Sequence, residues 1–297
     1  MRVNCLMFSD GAISVKSLYP PPPLSEGYVF AKVLRVIVGP IERYLITHPY
    51  MLSSDRVLGS QGLVRGIEGV NVNSEVIGKL FIVKPKGPKG TLGLDVDGIL
   101  CNYACIHKDY LIPASQTVLD KPQYTLLSEI YWLNKLLKIV KGMKVLIVGT
   151  GLISYLTSWF IHKYVSKLTI AYVDDVVVRE IRDLPVELKR LSNLDKSFDI
   201  VIPLMNSPLI TRLSIKYASS KSVVAIPPQL ISKLMPLTLV GRRLTLIDLG
   251  SISHLGIERL AEVIDKNERV IRKYVCAVKD LSECIRVKSL RVIVDFT

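Results

Sequence analysis

The feature that most constrains the fold is the segment at residues 145–161, VLIVGTGLISYLTSWFI, where an apolar run meets a Gly-x-Gly turn and then a segment of helical character. Because the segment carries no charge, a membrane span is one interpretation. Its seventeen residues are the lower limit for a span, and they include two glycines, two threonines and two serines. We therefore favour a strand, a turn and a helix, and we expect no membrane span.

The turn at residues 149–154 reads GTGLIS, whereas a dinucleotide-binding turn has a third glycine at its last position. The first glycine permits the tight turn, and the second allows a pyrophosphate to approach the backbone. The helix that follows presents free N–H groups and a partial positive charge to the phosphates. Ser154 replaces the third glycine, and a modest shift of the helix would accommodate it.

An acid at the end of the next strand strengthens this prediction. Asp174 lies 20 residues beyond Ser154, where a carboxylate accepts hydrogen bonds from ribose hydroxyls and repels a 2′-phosphate. NAD(H) is therefore favoured over NADP. The alternative is a sheet that keeps its glycines for packing and binds nothing. The predicted cofactor-binding residues are Gly149, Thr150, Gly151, Leu152, Ser154 and Asp174.

Two regions of different pattern predict two domains. Residues 1–118 contain short runs rich in valine, isoleucine, leucine and aromatic residues, at 28–39, 75–84 and 110–114, which favours a small β barrel or sandwich. Residues 119–265 alternate apolar strands with amphipathic helices, which indicates a doubly wound parallel sheet. The final run at 290–297 is expected to return to the first domain, so that residues 266–297 complete it.

The segments assigned in the alternating region follow the chain. Helices are predicted at 126–142, 153–165, 177–191 (broken at Pro185), 208–219 and 254–266, and strands at 143–149, 168–175, 198–204, 222–228 and 243–249.

The formal net charge of +13 is concentrated after residue 120. The basic residues are scattered and no aromatic nucleic-acid motif accompanies them, so we favour a solvated surface that also attracts anionic ligands. A nucleic-acid partner is unlikely on this pattern but is not excluded. The apolar run near the N-terminus is too short for a signal peptide, so we expect a cytoplasmic protein.

None of the five cysteines forms a C-x-x-C pair. Their odd number and wide spacing argue against a zinc ribbon or a disulfide scaffold. Cys101 and Cys105 would share a face of a strand. We interpret them as buried thiols in preference to a metal-binding pair.

With these motifs in place, most of the chain resembles the medium-chain dehydrogenase/reductase superfamily, the zinc alcohol dehydrogenase-like proteins. Residues 28–39, 58–69, 97–114 and 290–297 are similar to that family's catalytic-domain segments, and KGMKVLIVGTG is similar to its nucleotide turn. The resemblance implies a GroES-like β domain and a Rossmann domain, with the active site in the cleft between them. It also implies a small-molecule substrate and a possible homo-oligomer.

The departures from the family pattern predict that zinc is absent. Where the family has its first Cys ligand and a proton-relaying hydroxyl, this chain has Val38-Gly39-Pro40-Ile41, and where the family has Gly-His-Glu it has Gly59-Ser60-Gln61. Glu129 is a plausible match for the third ligand, but catalytic zinc takes three protein ligands. The four-cysteine lobe for structural zinc is missing as well.

The resemblance then leaves two interpretations open. One is a zinc-independent NAD(H)-binding oxidoreductase that transfers hydride to or from a carbonyl, a quinone or an activated alkene. The other is a catalytically inactive nucleotide-binding or structural protein that kept the dehydrogenase fold. Tyr44, His48 and Tyr50 are candidate hydrogen-bond donors, Arg65 faces either an anion or solvent, and Glu42 with Arg43 is expected to be a solvated pair. We assign no catalytic residue from the sequence.

Overall fold

The computed structural model describes residues 2–18, 25–52, 55–72, 76–195, 197–205, 207–228, 245–250 and 256–297. Its strands, in chain order, are β1 (Val3–Ser9), β2 (Ala12–Leu18), β3 (Tyr28–Val38), β4 (Arg56–Val57), β5 (Gly62–Gly69), β6 (Leu80–Val83), β7 (Lys86–Gly87), β8 (Gly90–Thr91), β9 (Tyr103–His107), β10 (Leu111–Ala114), β11 (Lys144–Val148), β12 (Lys167–Tyr172), β13 (Glu187–Arg190), β14 (Phe198–Pro203), β15 (Ala218–Ile226), β16 (Thr245–Asp248), β17 (Val275–Val278) and β18 (Arg291–Asp295).

The α-helices in the same ranges are α1 (Pro40–Thr47), α2 (Leu127–Ile130), α3 (Leu133–Val140), α4 (Leu152–Ile161), α5 (Pro208–Ile215), α6 (Ile257–Lys266), α7 (Glu268–Tyr274) and α8 (Glu283–Arg286). Within the described ranges, no helix has both the length and the apolar character that a membrane crossing requires. The chain forms two compact units, one of residues 1–129 and 271–297 and the other of residues 130–270. The predicted boundaries at 118/119 and 265/266 stay predictions.

The first unit is built around a mixed sheet in the order β10-β6-β5-β3-β18-β17, with β9 also paired to β3. A second sheet joins β2, β1 and β4. β3 supplies much of the core, because its apolar side chains Val33, Val36 and Val38 are fully buried. The C-terminal strand β18 pairs antiparallel with β3, and residues 271–297 belong to the first unit.

The second unit contains a parallel six-stranded sheet in the order β13-β12-β11-β14-β15-β16. The apolar residues 145–148 of β11 are fully buried, as expected for a central strand that is covered on both faces. The strand order reverses between β11 and β14, and in open α/β sheets ligands bind at the carboxyl ends of the strands beside such a reversal. The turn at residues 149–154 lies at this point.

Two assignments of the sequence are wrong. The predicted helix at 177–191 is a 3₁₀ turn, Arg179–Asp183, followed by the edge strand β13. Pro185 disfavours helical geometry in the residue before it, and the residues after it pair with β12 instead. The first hundred residues also contain α1, which the sequence pattern did not predict. Residues 75, 243–244 and 254–255 of the predicted segments lie outside the described residues.

Candidate functional site

The turn after β11 begins at a glycine that its backbone requires. Gly149 has φ +121°, a region that L side chains rarely adopt. A Cβ built there would lie 2.9 Å from Met205 Cγ. The Gly149 N–H donates to the Ala171 carbonyl of β12 at 2.9 Å, which fixes the turn to the neighbouring strand. Both backbone conformation and space therefore demand glycine at this position.

Gly151 is different, because the fold itself does not require it to be glycine. It is the N-cap of α4, with φ −76° and ψ 179°, a conformation open to other residues. A Cβ built at Gly151 would meet no atom of the described residues within 4 Å. The missing side chain thus leaves space beside the backbone, which is the feature that a pyrophosphate needs in order to approach it.

The N-terminus of α4 offers that space a set of hydrogen-bond donors. No side chain caps the helix at Gly151, and the first backbone N–H groups of a helix have no partner within it. Such N–H groups, together with the helix dipole, favour a bound anion. The residues of this turn therefore fit the diphosphate of a dinucleotide in both shape and charge.

Thr150 connects the turn to the loop that carries the predicted ribose-binding acid. Its Oγ1 donates to the Asp175 carbonyl at 3.2 Å and accepts from the Val177 N–H at 3.1 Å, and its own carbonyl accepts from the Val178 N–H at 2.9 Å. Asp174, in the same loop, is exposed. Three hydrogen bonds therefore join the turn to the Asp174 loop.

The last predicted position of the turn, Ser154, is buried in the first turn of α4. Leu152 and Ser154 are buried, with 0% and 1% of their surface exposed. The Ser154 carbonyl accepts from Ser158 Oγ at 2.7 Å, while Ser154 Oγ has no hydrogen-bond partner among the described residues. A serine therefore fits where the family pattern has glycine, with its hydroxyl buried.

The first unit contains a buried cluster of charged and polar groups that we call the carboxylate centre: Glu42, Ser60, Glu129 and Arg291. Glu42 Oε2 accepts from the Gly39 N–H at 3.0 Å. Its Oε1 accepts from the backbone N–H and the hydroxyl of Ser60, at 3.0 and 2.6 Å. The Glu42 side chain thus accepts three hydrogen bonds, which stabilise a carboxylate away from water.

The expectation that Glu42 and Arg43 form a solvated pair is therefore wrong. Only 3% of the Glu42 surface is exposed, and Arg43 Nη2 donates to the Val287 carbonyl at 2.8 Å. Glu42 lies at the third position of α1, from which its carboxylate reaches back to the residue that precedes the helix. This capping geometry is what buries it.

The second carboxylate of the carboxylate centre is held by a guanidinium group. Arg291 Nε donates to both carboxylate oxygens of Glu129, at 2.9 and 2.7 Å. The two side chains are 7% and 2% exposed. Burial raises the pKa of Glu129, and the Arg291 charge and hydrogen bond oppose that rise, while nearby Glu42 adds to it. Desolvation thus outweighs the attraction to Arg291.

No protein-family model matches the chain, and no curated protein matches it significantly. Solved structures do match it over nearly the whole length. A zinc-binding dehydrogenase from Sinorhizobium meliloti bound to NADP is 16% identical, with a TM-score of 0.68 and 99% of each chain covered. Acetophenone reductase from Geotrichum candidum in complex with NAD is 17% identical, with a TM-score of 0.68 and 99% of this chain and 97% of that one covered.

A third structure, an alcohol dehydrogenase zinc-binding domain protein from Burkholderia ambifaria, is 13% identical, with a TM-score of 0.70 and 99% of each chain covered. The chain has the fold of the medium-chain dehydrogenase/reductase superfamily. This confirms the predicted combination of a Rossmann-type parallel sheet and a GroES-like β domain. It also confirms, at the level of the fold, the resemblance to the zinc alcohol dehydrogenase-like proteins.

Within this superfamily fold, the three segments aligned with the zinc-ligand segments do come together. A Cβ built at Gly39 would lie 3.5 Å from both Glu129 Oε1 and Arg291 Nε. Gln61 Nε2 donates to the Ser128 carbonyl at 2.6 Å. The three segments that the sequence analysis matched to the zinc-ligand segments therefore meet at the carboxylate centre and the groups bonded to it.

The groups at this place do not fit catalytic zinc. The carboxylate centre supplies no thiolate or imidazole, and both of its carboxylates accept hydrogen bonds from protein groups. In the ranges that the structure describes, no cluster of three or more His, Cys, Asp or Glu side chains could hold a metal ion. A guanidinium beside Glu129 also repels a cation electrostatically.

The candidate donors from the sequence form an aromatic group on and after α1. The rings of Tyr44 and His48 stack with centroids 4.3 Å apart, and His48 meets Tyr50 edge-on at 5.8 Å. Tyr50 is 74% exposed. Arg65 Nη2 donates to Gln116 Oε1 at 3.1 Å. These contacts explain the positions of the side chains and give none of them a catalytic role.

Sequence reasoning missed Arg291. The signal was a single basic residue directly before the apolar run Val292-Ile293-Val294 of β18. A charge at such a position is rarely buried unless it has a partner, so a buried acid was the implied companion. Glu129 is 162 residues away in the chain, so the pair exists only in the folded protein.

Proposed function

We propose that this chain is a zinc-independent oxidoreductase that binds NAD(H) in the turn at residues 149–154. The observation that carries the proposal is Gly151, where the backbone leaves open space beside the uncapped N-terminus of α4. When bound, a nicotinamide cofactor supplies or accepts a hydride. A carbonyl, a quinone or an activated alkene is the proposed substrate class, and the solved structures of the same fold include an acetophenone reductase.

The proposed roles of the chain's own residues follow from the geometry. The N–H groups at the start of α4, including that of Leu152, donate to the diphosphate, while Gly151 gives the phosphates room. Gly149 sets the turn, Ser154 packs the helix on the sheet, and Thr150 holds the loop that presents Asp174. The Asp174 carboxylate accepts from the ribose hydroxyls and repels a 2′-phosphate, so NAD(H) is preferred over NADP(H).

Zinc independence is supported by the carboxylate centre. Arg291 supplies the positive charge beside Glu129, and hydrogen bonds from Gly39 and Ser60 hold Glu42. A cytoplasmic location, a small-molecule substrate, a homo-oligomeric state and the domain boundaries at 118/119 and 265/266 remain predictions from the sequence.

Turnover of the purified chain tests the catalytic part of the proposal. NADH oxidation is followed at 340 nm with a panel of aldehydes, ketones, quinones and activated alkenes, with and without a zinc chelator. We expect turnover that the chelator leaves unchanged. Activity that the chelator abolishes and added zinc restores would contradict zinc independence.

The outcome of NADH binding without turnover on any member of the panel would favour the second candidate, a catalytically inactive nucleotide-binding protein. One observation favours that candidate. At the positions matched to the family's zinc ligands and proton relay, this chain has groups that hydrogen-bond to other groups of the protein. Cofactor preference is tested separately with Asp174→Asn, which should weaken NADH binding and reduce discrimination against NADPH. An unchanged preference for NADH over NADPH would show that Asp174 does not contact the ribose.

A further inference from the structure

Two cysteines of the first unit face each other across neighbouring backbone segments. Cys5 of β1 and Cys101 form an antiparallel bridge. The Leu6 N–H donates to the Leu100 carbonyl at 2.9 Å, and the Asn102 N–H donates to the Asn4 carbonyl at 3.3 Å. Because the hydrogen bonds flank the two cysteines, they are a non-hydrogen-bonded pair, in which the Cα atoms lie about 4.5 Å apart and the side chains are close.

The two side chains project from the same face of this close pair of backbone segments. The interaction of the Cys101 thiol with the Cys5 thiol is the largest cause of the raised pKa of Cys101, followed by burial. Both residues are 2% exposed. Cys105, which the sequence placed on the same face of a strand as Cys101, lies in β9 opposite Phe30 of β3.

From this juxtaposition we propose that Cys5 and Cys101 are a disulfide-forming pair, oxidised by a small-molecule disulfide such as oxidised glutathione. Disulfides form between cysteines whose Cα atoms are about 4.4–6.8 Å apart, and the non-hydrogen-bonded pair falls within that interval. The crosslink closes the loop from residue 5 to residue 101, which contains the rest of β1 and all of β2 to β8.

The reaction balances in two exchange steps. One cysteine thiolate attacks a sulfur of oxidised glutathione, the glutathione S–S bond breaks, and one glutathione leaves as a thiolate. The second cysteine thiolate attacks the mixed disulfide, forms the Cys5–Cys101 bond and releases the second glutathione. The two cysteines lose two electrons and two protons, and the two released glutathione thiols gain them. Because both thiols are buried, we expect the exchange to proceed during folding or through local opening.

The test uses the full-length chain, refolded and also incubated natively with oxidised glutathione, then alkylated, digested and analysed by mass spectrometry. We expect a peptide linking Cys5 to Cys101 that is two hydrogens lighter than the reduced pair. The thermal midpoint of the oxidised chain should rise and return on reduction. A crosslink that closes so long a loop typically increases the folding equilibrium constant by about 30- to 1,000-fold.

Two variants complete the test. Cys105→Ser is the matched control and should behave like the wild type, whereas Cys101→Ser should show neither the linked peptide nor the midpoint rise. In the wild-type chain, two results would overturn the proposal. One is alkylation of both Cys5 and Cys101 after oxidation, and the other is a link from either of them to another cysteine. An equal midpoint rise in Cys101→Ser would overturn the attribution of the rise to this crosslink.

Discussion

Replacing Arg291 by methionine should destabilise the protein through the carboxylate that is left behind. Methionine retains a long apolar side chain but donates nothing to Glu129, which is almost fully buried and accepts both of its close guanidinium bonds from Arg291 Nε. Removing one partner of a buried ion pair typically costs about 3–5 kcal/mol, because the remaining charge is uncompensated. We expect a loss in the free energy of unfolding of this order for Arg291→Met at neutral pH.

The double variant distinguishes the effect of leaving the Glu129 charge without Arg291 from the effect of lost packing. In Glu129→Gln/Arg291→Met no buried charge remains at this pair, and replacing a buried pair by uncharged groups of similar volume is often nearly neutral. We expect the double variant to recover most of the loss. The interaction free energy from the four proteins of this double-mutant cycle should therefore exceed about 1 kcal/mol.

The pH dependence gives the same hypothesis a second test. The folded-state pKa of Glu129 is raised above 4.5 by burial, and Arg291 opposes that rise, so removing Arg291 raises the pKa further. A raised carboxyl pKa means that stability falls as pH rises through the folded pKa. The loss in Arg291→Met should therefore be largest at neutral pH and shrink as pH falls and Glu129 becomes protonated.

Urea unfolding of the four proteins between pH 4 and 8 is the assay. A loss below about 1 kcal/mol in Arg291→Met, a double variant as unstable as the single one, or a loss that grows towards acid pH would refute this account of the carboxylate centre.

Three further predictions concern other parts of the chain. Gly149→Ala should lower the free energy of unfolding by about 1–3 kcal/mol, because φ is +121° and Met205 Cγ lies 2.9 Å from the new Cβ. Gly142→Ala, where φ is also positive but the space is open, should lower the free energy of unfolding by less in the same urea titration. The hydrogen bond from Lys189, with further bonds from neighbouring groups, lowers the pKa of Glu187 to about 2. The Glu187 carboxylate therefore stabilises the fold above pH 4.5, and this stabilisation is lost as the pH falls through about 2. Carbon NMR should place the titration midpoint of Glu187 near pH 2, and a midpoint near 4.5 would contradict the contact. Burial raises the pKa of Cys284 to about 11, so its alkylation at pH 8 should be slow and should accelerate in urea, and rapid labelling of the native protein would show that the thiol is accessible.

Much of the second unit could be predicted from the sequence, because its signals are local. The apolar run before Gly149 and the helical run after Gly151 identify a strand and a helix whatever lies elsewhere in the chain. The helix predicted across Pro185 failed because an unpaired edge of β12 was available to the residues that follow it. A sequence pattern does not show whether the edge of a neighbouring strand is free to pair.

The carboxylate centre could not be predicted, because its parts come from distant segments. The sequence identified Ser60 as a departure from the zinc-ligand pattern and Glu129 as a plausible match to it, and it placed Glu42 in solvent. Their actual partners depend on where β3, α1 and β18 meet. The sequence pattern gives no sign of the role of Gly39, although its N–H is one of the three donors that hold Glu42.

The central claim is that the space at Gly151 receives the diphosphate of a dinucleotide, and titration calorimetry with NADH tests it most directly. Wild type, Gly151→Ala and Gly151→Val are compared. The backbone conformation at Gly151 is open to other residues, and a Cβ there meets no atom of the described residues within 4 Å. Thermal melting verifies that each variant keeps the fold. We predict binding by the wild type, weaker binding by the alanine variant, and a loss of more than about tenfold in affinity, about 1.4 kcal/mol, for the valine variant. Equal affinity in all three folded proteins, or no binding by the wild type at saturating NADH, would contradict the account.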